Sequence, residues 1–181
     1  MNRKLVNNGF TLIELMVSIS IIAILSATSF ALYNSAREQA RDKLRMTDLK
    51  EMQVAIELFK AQNNFYPKAG CGVSDTQFVG PGPSSASGFT GNCDAYIDGL
   101  TPDFIDLLAR DTKSEKVNNQ GFYYRSNGFS YKLMVVDSVE TLNVDSYSHE
   151  FARCPKQGGA CSGANPPQKV YAVYSKGAED W

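Results

Sequence analysis

The chain has 181 residues, 18 basic and 19 acidic, for a net charge of −1. That balance gives no general attraction to nucleic acid, and no specific nucleic acid is expected as a partner. The length suits one modest core on an anchor, because about 145 residues remain once the first nine residues and an apolar span are set aside.

The first eight residues carry Arg3 and Lys4 and are polar at Asn2, Asn7 and Asn8. Gly9-Phe10-Thr11-Leu12-Ile13-Glu14-Leu15-Met16-Val17 then opens an apolar stretch that reaches Phe30. Such a stretch is long enough to cross a bilayer as a helix. Glu14 lies inside it, where an ionised carboxylate costs about 2.5–3.5 kcal/mol even on lenient insertion scales. A plain anchor would do better with leucine there, so the working state must compensate for Glu14, and a nearby positive charge is the simplest way. An ordinary secretory signal is cut after its apolar region. Here the small residue, Gly9, precedes it, so a cut at that point leaves the span with the product.

Gly9 followed by Phe10-Thr11-Leu12-Ile13-Glu14-Leu15 resembles the class III signal of type IV prepilins and type II secretion pseudopilins. The resemblance covers residues 1 to about 67 well and is looser beyond. It implies that a prepilin peptidase cuts between Gly9 and Phe10, that Phe10 is then N-methylated, and that Glu14 is needed for assembly. It also implies an α+β pilin fold, a long N-terminal helix on a small antiparallel sheet. The expected organisation is a leader over 1–9, a transmembrane and filament-core helix over 10–33, and an extracytoplasmic head over 34–181. The partners implied are further copies of the chain in a helical homopolymer, the prepilin peptidase, an inner-membrane assembly platform with its ATPase, and the membrane. Arg37, Arg41, Lys43 and Arg45 outnumber Arg3 and Lys4, and a count of flanking charge alone would place the head in the cytoplasm. The resemblance and the cysteines place it outside. Loss of residues 1–9 removes Arg3 and Lys4 and leaves 16 basic against 19 acidic residues, net −3.

No proline or glycine interrupts the chain from Phe10 to Asn63, which predicts one helix about 80 Å long. Leu44, Leu49, Met52, Ile56 and Phe59, extended by Ala36, Ala40 and Ala55, form the expected inward face. The charges from Arg37 to Glu51 fill the remainder, either solvated or pairing between subunits. Pro67 predicts a stop near Asn64.

Residues 68–95 read as loop, because Gly80 to Gly88 carries two prolines and cannot sustain a helix or a central strand. Cys71, Cys93, Cys154 and Cys161 are even in number, which in an exported domain suggests two disulfides. Three connectivities are possible. Cys71–Cys93 and Cys154–Cys161 are favoured, since each encloses a Gly-rich loop and short loops close at lower entropic cost. The spacing is wrong for zinc, and no metal site is expected. Asp94, Asp98, Asp103 and Asp106 raise calcium, which major pseudopilins often bind, but no loop has a calcium-ligand spacing and no cofactor is expected.

Thr101 and Pro102 predict the start of a short helix running to Leu108. Phe122–Ser126 and Phe129–Leu133 flank Asn127-Gly128, the favoured two-residue hairpin turn. That turn sets Tyr124 opposite Tyr131 and Phe122 opposite Leu133 on an apolar face. It sets Arg125 opposite Ser130 and Tyr123 opposite Lys132 on a polar one. A third strand is expected over residues 169–174. His149 is the only histidine, and Ser146, His149 and Glu150 lie too close in sequence to read as a nucleophile arrangement, so no enzyme is expected. The functions in play are a structural subunit of a type IV pilus or pilus-like filament, the major pseudopilin of a type II secretion system, and a membrane-anchored binding protein that never polymerises.

Overall fold

The computed structural model describes residues 10–111, 117–141, 147–155 and 170–181. One helix, α1, runs Leu12–Asn63, and five strands follow: β1 Phe78–Val79, β2 Phe89–Thr90, β3 Gly121–Ser126, β4 Tyr131–Val136 and β5 Val170–Tyr174. The chain divides into two compact units, Met1–Glu38 and Gln39–Trp181.

In the first unit the apolar side chains are unburied, from Leu12 and Ile13 to Phe30 and Leu32. Several hydroxyls within the stretch are satisfied internally. The hydroxyls of Ser18, Ser20 and Ser29 donate to the carbonyls of Glu14, Met16 and Leu25 at 2.7, 2.7 and 2.8 Å. Such i−4 bonds remove the cost of carrying hydroxyls into a hydrocarbon environment.

The second unit is a helix laid on a sheet. Leu49, Met52, Ala55 and Ile56 face Phe122, Tyr124, Leu133, Tyr171 and Val173 in one buried core, with Phe59 packed partly against it. The helix ends as expected: Asn64 takes φ +66°, and its N–H donates to the Lys60 carbonyl at 2.8 Å. A left-handed residue of this kind closes a helix at its C-terminus.

The inward face differs from the expectation at its N-terminal end. Leu44 is 62% exposed, and Ala36 and Ala40 are exposed too. The positions in phase with Leu49, Met52 and Ile56 are Asp42 and Arg45, which are 0% and 3% exposed. The Arg45 guanidinium reaches Asp111 through Nε and Nη2 at 2.8 and 3.2 Å, Asp42 at 2.7 Å and Glu140 at 3.2 Å. Arg41 makes a two-pronged pair with Glu140, both bonds at 2.6 Å. Asp42 accepts from the backbone N–H groups of Glu140 and Thr141 and from the Thr141 hydroxyl. These three charges are therefore neither simply solvated nor reserved for a neighbouring subunit. They fasten the helix to the segment after β4 and to the one before residue 112.

The sheet order is β2-β1-β3-β4-β5, antiparallel except for β1 with β2. Two short strands thus come from the stretch read as loop. β5 pairs along β4, as expected of the last strand. Lys169 lies outside the described residues.

The hairpin places each side chain on the expected side of the sheet but not in the expected register. Tyr124 opposes Leu133, Phe122 opposes Val135, Tyr123 opposes Met134, Arg125 opposes Lys132, and Ser126 opposes Tyr131. The pairing is offset by two residues, which keeps every side chain on its face. The reason lies in the turn. Only Gly128 has positive φ, so the two-residue form with both positions left-handed does not occur. Instead the Asn127 side-chain oxygen accepts from the N–H groups of Phe129 and Ser130 at 2.9 and 2.8 Å, and the Asn127 N–H donates to the Ser130 carbonyl. The Gly128 carbonyl is also held by the Tyr66 N–H at 2.8 Å.

The other sheet face is not polar. Phe78, Tyr123, Met134, Val170 and Ala172 form a second buried cluster there, with Phe89 and Trp181 packed on it, and Lys132 is fully buried. Nor do residues 101–108 form a helix. A single backbone bond joins Phe104 N–H to Leu100. The chain beyond is drawn to the core, where the Tyr96 hydroxyl donates to the Ala109 carbonyl at 2.7 Å beside the Met52 sulfur.

Removing one partner of a buried, hydrogen-bonded charge cluster leaves the others uncompensated. Arg45→Ala is expected to lower unfolding stability by about 3 kcal/mol, whereas Leu44→Ala at an exposed site is expected to stay within about 0.5 kcal/mol. Urea denaturation of the detergent-solubilised chain measures both. Equal, small losses would show that the cluster does not hold the head.

Candidate assembly site at the helix N-terminus

Phe10 precedes α1 and is 81% exposed. Thr11 is the cap. Its Oγ1 accepts from the Glu14 backbone N–H at 3.3 Å, and its carbonyl accepts from the Leu15 N–H at 3.3 Å. Glu14 reaches back: its Oε2 accepts from the Thr11 N–H at 2.9 Å and from the Thr11 hydroxyl at 2.6 Å. This reciprocal arrangement is a capping box, which satisfies two of the orphan donors at a helix start. A carboxylate in the first turn is also favoured by the helix dipole.

The local sequence explains the geometry. Thr-Leu-Ile-Glu has the threonine-x-x-glutamate spacing of the motif, followed by an apolar run. Membrane depth alone accounts for the cost of Glu14 but not for the role of Thr11. The signal that finds Thr11 is that three-residue offset. The site now holds Phe10, Thr11 and Glu14 together within the first turn. Glu14 is exposed, and its Oε1 accepts no hydrogen bond among the described residues. The carboxylate is thus positioned by one oxygen and open at the other. Gly9 lies outside the described residues.

The remaining candidates lie in the head. Cys71 and Cys93 are joined by a disulfide with Cα atoms 6.1 Å apart. Cys154 is disulfide-bonded as well, and Cys161, the partner expected for it, lies outside the described residues. Of the acidic residues considered for calcium, Asp94 meets the Arg110 guanidinium. Among the described residues no group of three His, Cys, Asp or Glu side chains is placed to hold a metal. His149 accepts at Nδ1 from the Phe151 N–H at 3.2 Å, which ties a turn, and Glu150 pairs with Lys50. Ser146 lies outside the described residues.

Comparison with known proteins places this site in context. Residues 5–30 match the family model described as a prokaryotic N-terminal methylation motif. The chain is 35% identical over 123 residues to a fimbrial protein of Dichelobacter nodosus, covering 64% of this chain and 67% of that one. It is 35% identical over 99 residues to a type IV major fimbrial protein FimA of the same organism, spanning about half of each, 54% and 52%. It is also 35% identical over 66 residues to the type II secretion system core protein G of Pseudomonas aeruginosa, covering 36% of this chain and 46% of that one. No solved structure is significantly similar. With a methylation motif on the capped helix start, and a fimbrial relative 35% identical over 123 residues and covered to two thirds of its length, the chain belongs to the type IV pilin and pseudopilin family.

Proposed function

We propose that this chain is a structural subunit of a type IV pilus or pilus-like filament, assembled after a prepilin peptidase cuts between Gly9 and Phe10. The observation that carries the reading is the unburied apolar half of α1 with Glu14 in its first turn. That surface needs one cover before assembly and another after it. The helix is long and apolar enough to cross a membrane, so the bilayer serves first, with the head outside the cytoplasm. Packed helices of other copies serve second, and Leu12, Ile13, Val17, Ile21 and Ile24 then line a filament core. The role is structural rather than catalytic.

Cleavage would give Phe10 a free α-amino group, to be N-methylated but still cationic. Within one subunit Glu14 is turned back onto Thr11, four and three residues from the ends that matter. The amine of an incoming copy can approach the open Oε1 of a subunit already in place. A lone charge in hydrocarbon is costly, and opposite charges there offset each other strongly. The pair would favour staggered helices over isolated ones and would set the axial step. The assembly platform and its ATPase would supply the work of extraction.

Matches to core protein G support a second reading within the family, a pseudopilin that pushes secreted cargo. The longer match to the fimbrial protein, 123 residues against 66 and 95, favours the pilus. Electron microscopy of sheared surface filaments, labelled for this chain, decides between them.

Intact mass of the membrane-extracted protein should lack residues 1–9 and carry one added methyl group. Gly9→Val should leave the longer form. A mature N-terminus beyond the apolar stretch, for instance after Ala27, would refute the processing step. Glu14→Ala should leave membrane insertion and cleavage intact and reduce filament counts sharply, read by membrane-fraction immunoblot and microscopy. Normal filament numbers in that strain would mean that the carboxylate does not guide assembly.

A further inference from the structure

Between Glu14 and Arg37 the chain carries no Asp, Glu, Lys, Arg or His. These two charges bracket the apolar half of α1 and stand 23 residues apart in one helix, about 35 Å along its axis. The hydrocarbon of a bilayer is about 30 Å thick, and about 40–45 Å with its headgroup layers. Both charges therefore fit in headgroup layers at once, one on each side, with only uncharged residues between them.

The Arg37 end is suited to such a layer. Tyr33 lies one turn earlier on the same helix face, and the Arg37 guanidinium sits 5.6 Å from the centre of its ring. Tyr33 is 60% exposed, and Arg37 is exposed as well. Among the described residues Arg37 forms no ion pair, with Glu38 or with any other acid. It differs in this from Arg41 and Arg45, whose guanidinium groups are taken up by Asp42, Asp111 and Glu140. A tyrosine and an arginine, each with an apolar body and a polar tip, favour the boundary between membrane and water. A planar guanidinium matches two oxygens of a phosphate, and the ring beneath it fixes its orientation.

We propose that Tyr33 and Arg37 clasp a phospholipid phosphate of the outer leaflet, and that this contact sets the depth at which the subunit waits, with Glu14 in the headgroup layer of the opposite leaflet.

The clasp rests on the membrane-anchored reading above. At a boundary the carboxylate of Glu14, engaged through Oε2 by Thr11, still meets water at Oε1. Its charge costs less there than at the bilayer centre. Drawing the helix outward then does two things together. It breaks the contact between Arg37 and phosphate, and it carries Glu14 into hydrocarbon. The carboxylate needs a cation at that moment, and the Phe10 amine of another copy supplies it. The clasp thus holds each subunit in the membrane until a growing filament is there to receive it.

Solid-state NMR of the full chain in vesicles of phosphatidylethanolamine and phosphatidylglycerol tests this. With arginine labelled at carbon ζ, lipid phosphorus should dephase an arginine signal that disappears in Arg37→Gln. Tyr33→Leu should reduce that dephasing, because the guanidinium loses its brace. With glutamate labelled at the carboxyl carbon, the signal lost in Glu14→Gln should receive magnetisation directly from water. Absence of phosphorus dephasing at the Arg37 signal overturns the clasp. A Glu14 signal that water does not reach lies in hydrocarbon and overturns the depth assignment. Release of the chain from the vesicles by alkaline carbonate is a separate result. It refutes the membrane anchor and the clasp with it, whereas an anchored chain without the phosphorus contact refutes the clasp alone.

Discussion

A single uninterrupted helix has to meet two environments, and the rest of the structure follows from how it does so. Its first half keeps apolar side chains unburied and returns serine hydroxyls to its own carbonyls. Its second half turns Leu49, Met52 and Ile56 into a sheet. No helix breaker separates the two. The first half is therefore suited to lipid or to other helices, and the second to a water-soluble head. The head consequently needs a firm hold on only one stretch of helix, and it places both its core and its buried charges there.

Much of this was legible in the sequence. The apolar run, the position of Glu14 and the stop near Asn64 come from composition, chain chemistry and proline geometry. Glu14 also has a local setting that membrane depth does not reveal. Weighing it only against the bilayer hid the threonine three residues earlier, which engages its carboxylate. A helix-start motif and a charge in a long apolar stretch are the same residue seen on two scales, one local and one environmental.

The parts that were not legible share a physical cause: long-range contacts overrode local preference. Asp42 and Arg45 sit in phase with the core, yet an apolar-periodicity argument skips charged residues. Partners about 70 to 100 positions away in sequence, Asp111, Glu140 and Thr141 among them, make their burial tolerable. The Asn-Gly hairpin takes a wider turn because Asn127 bonds its own backbone and Tyr66 holds Gly128. The Thr101–Leu108 stretch has helical spacing, but Tyr96 and Met52 claim its far end. The polar alternation of β3 and β4 gave no sign that the chain's last residues would cover Lys132.

The Arg41, Asp42 and Arg45 contacts carry a mechanical consequence. They lie in the first turns of the head's helical segment, where a pull along the helix axis enters the head before it reaches the apolar core. Each of the three residues bonds across to a different backbone stretch or shares Glu140 with a neighbour. Load arriving there is divided among several bonds at once instead of opening them one after another, as happens when a strand is peeled from an edge. A head built this way resists shear between helix and sheet through several bonds at once, and not through its modest core alone.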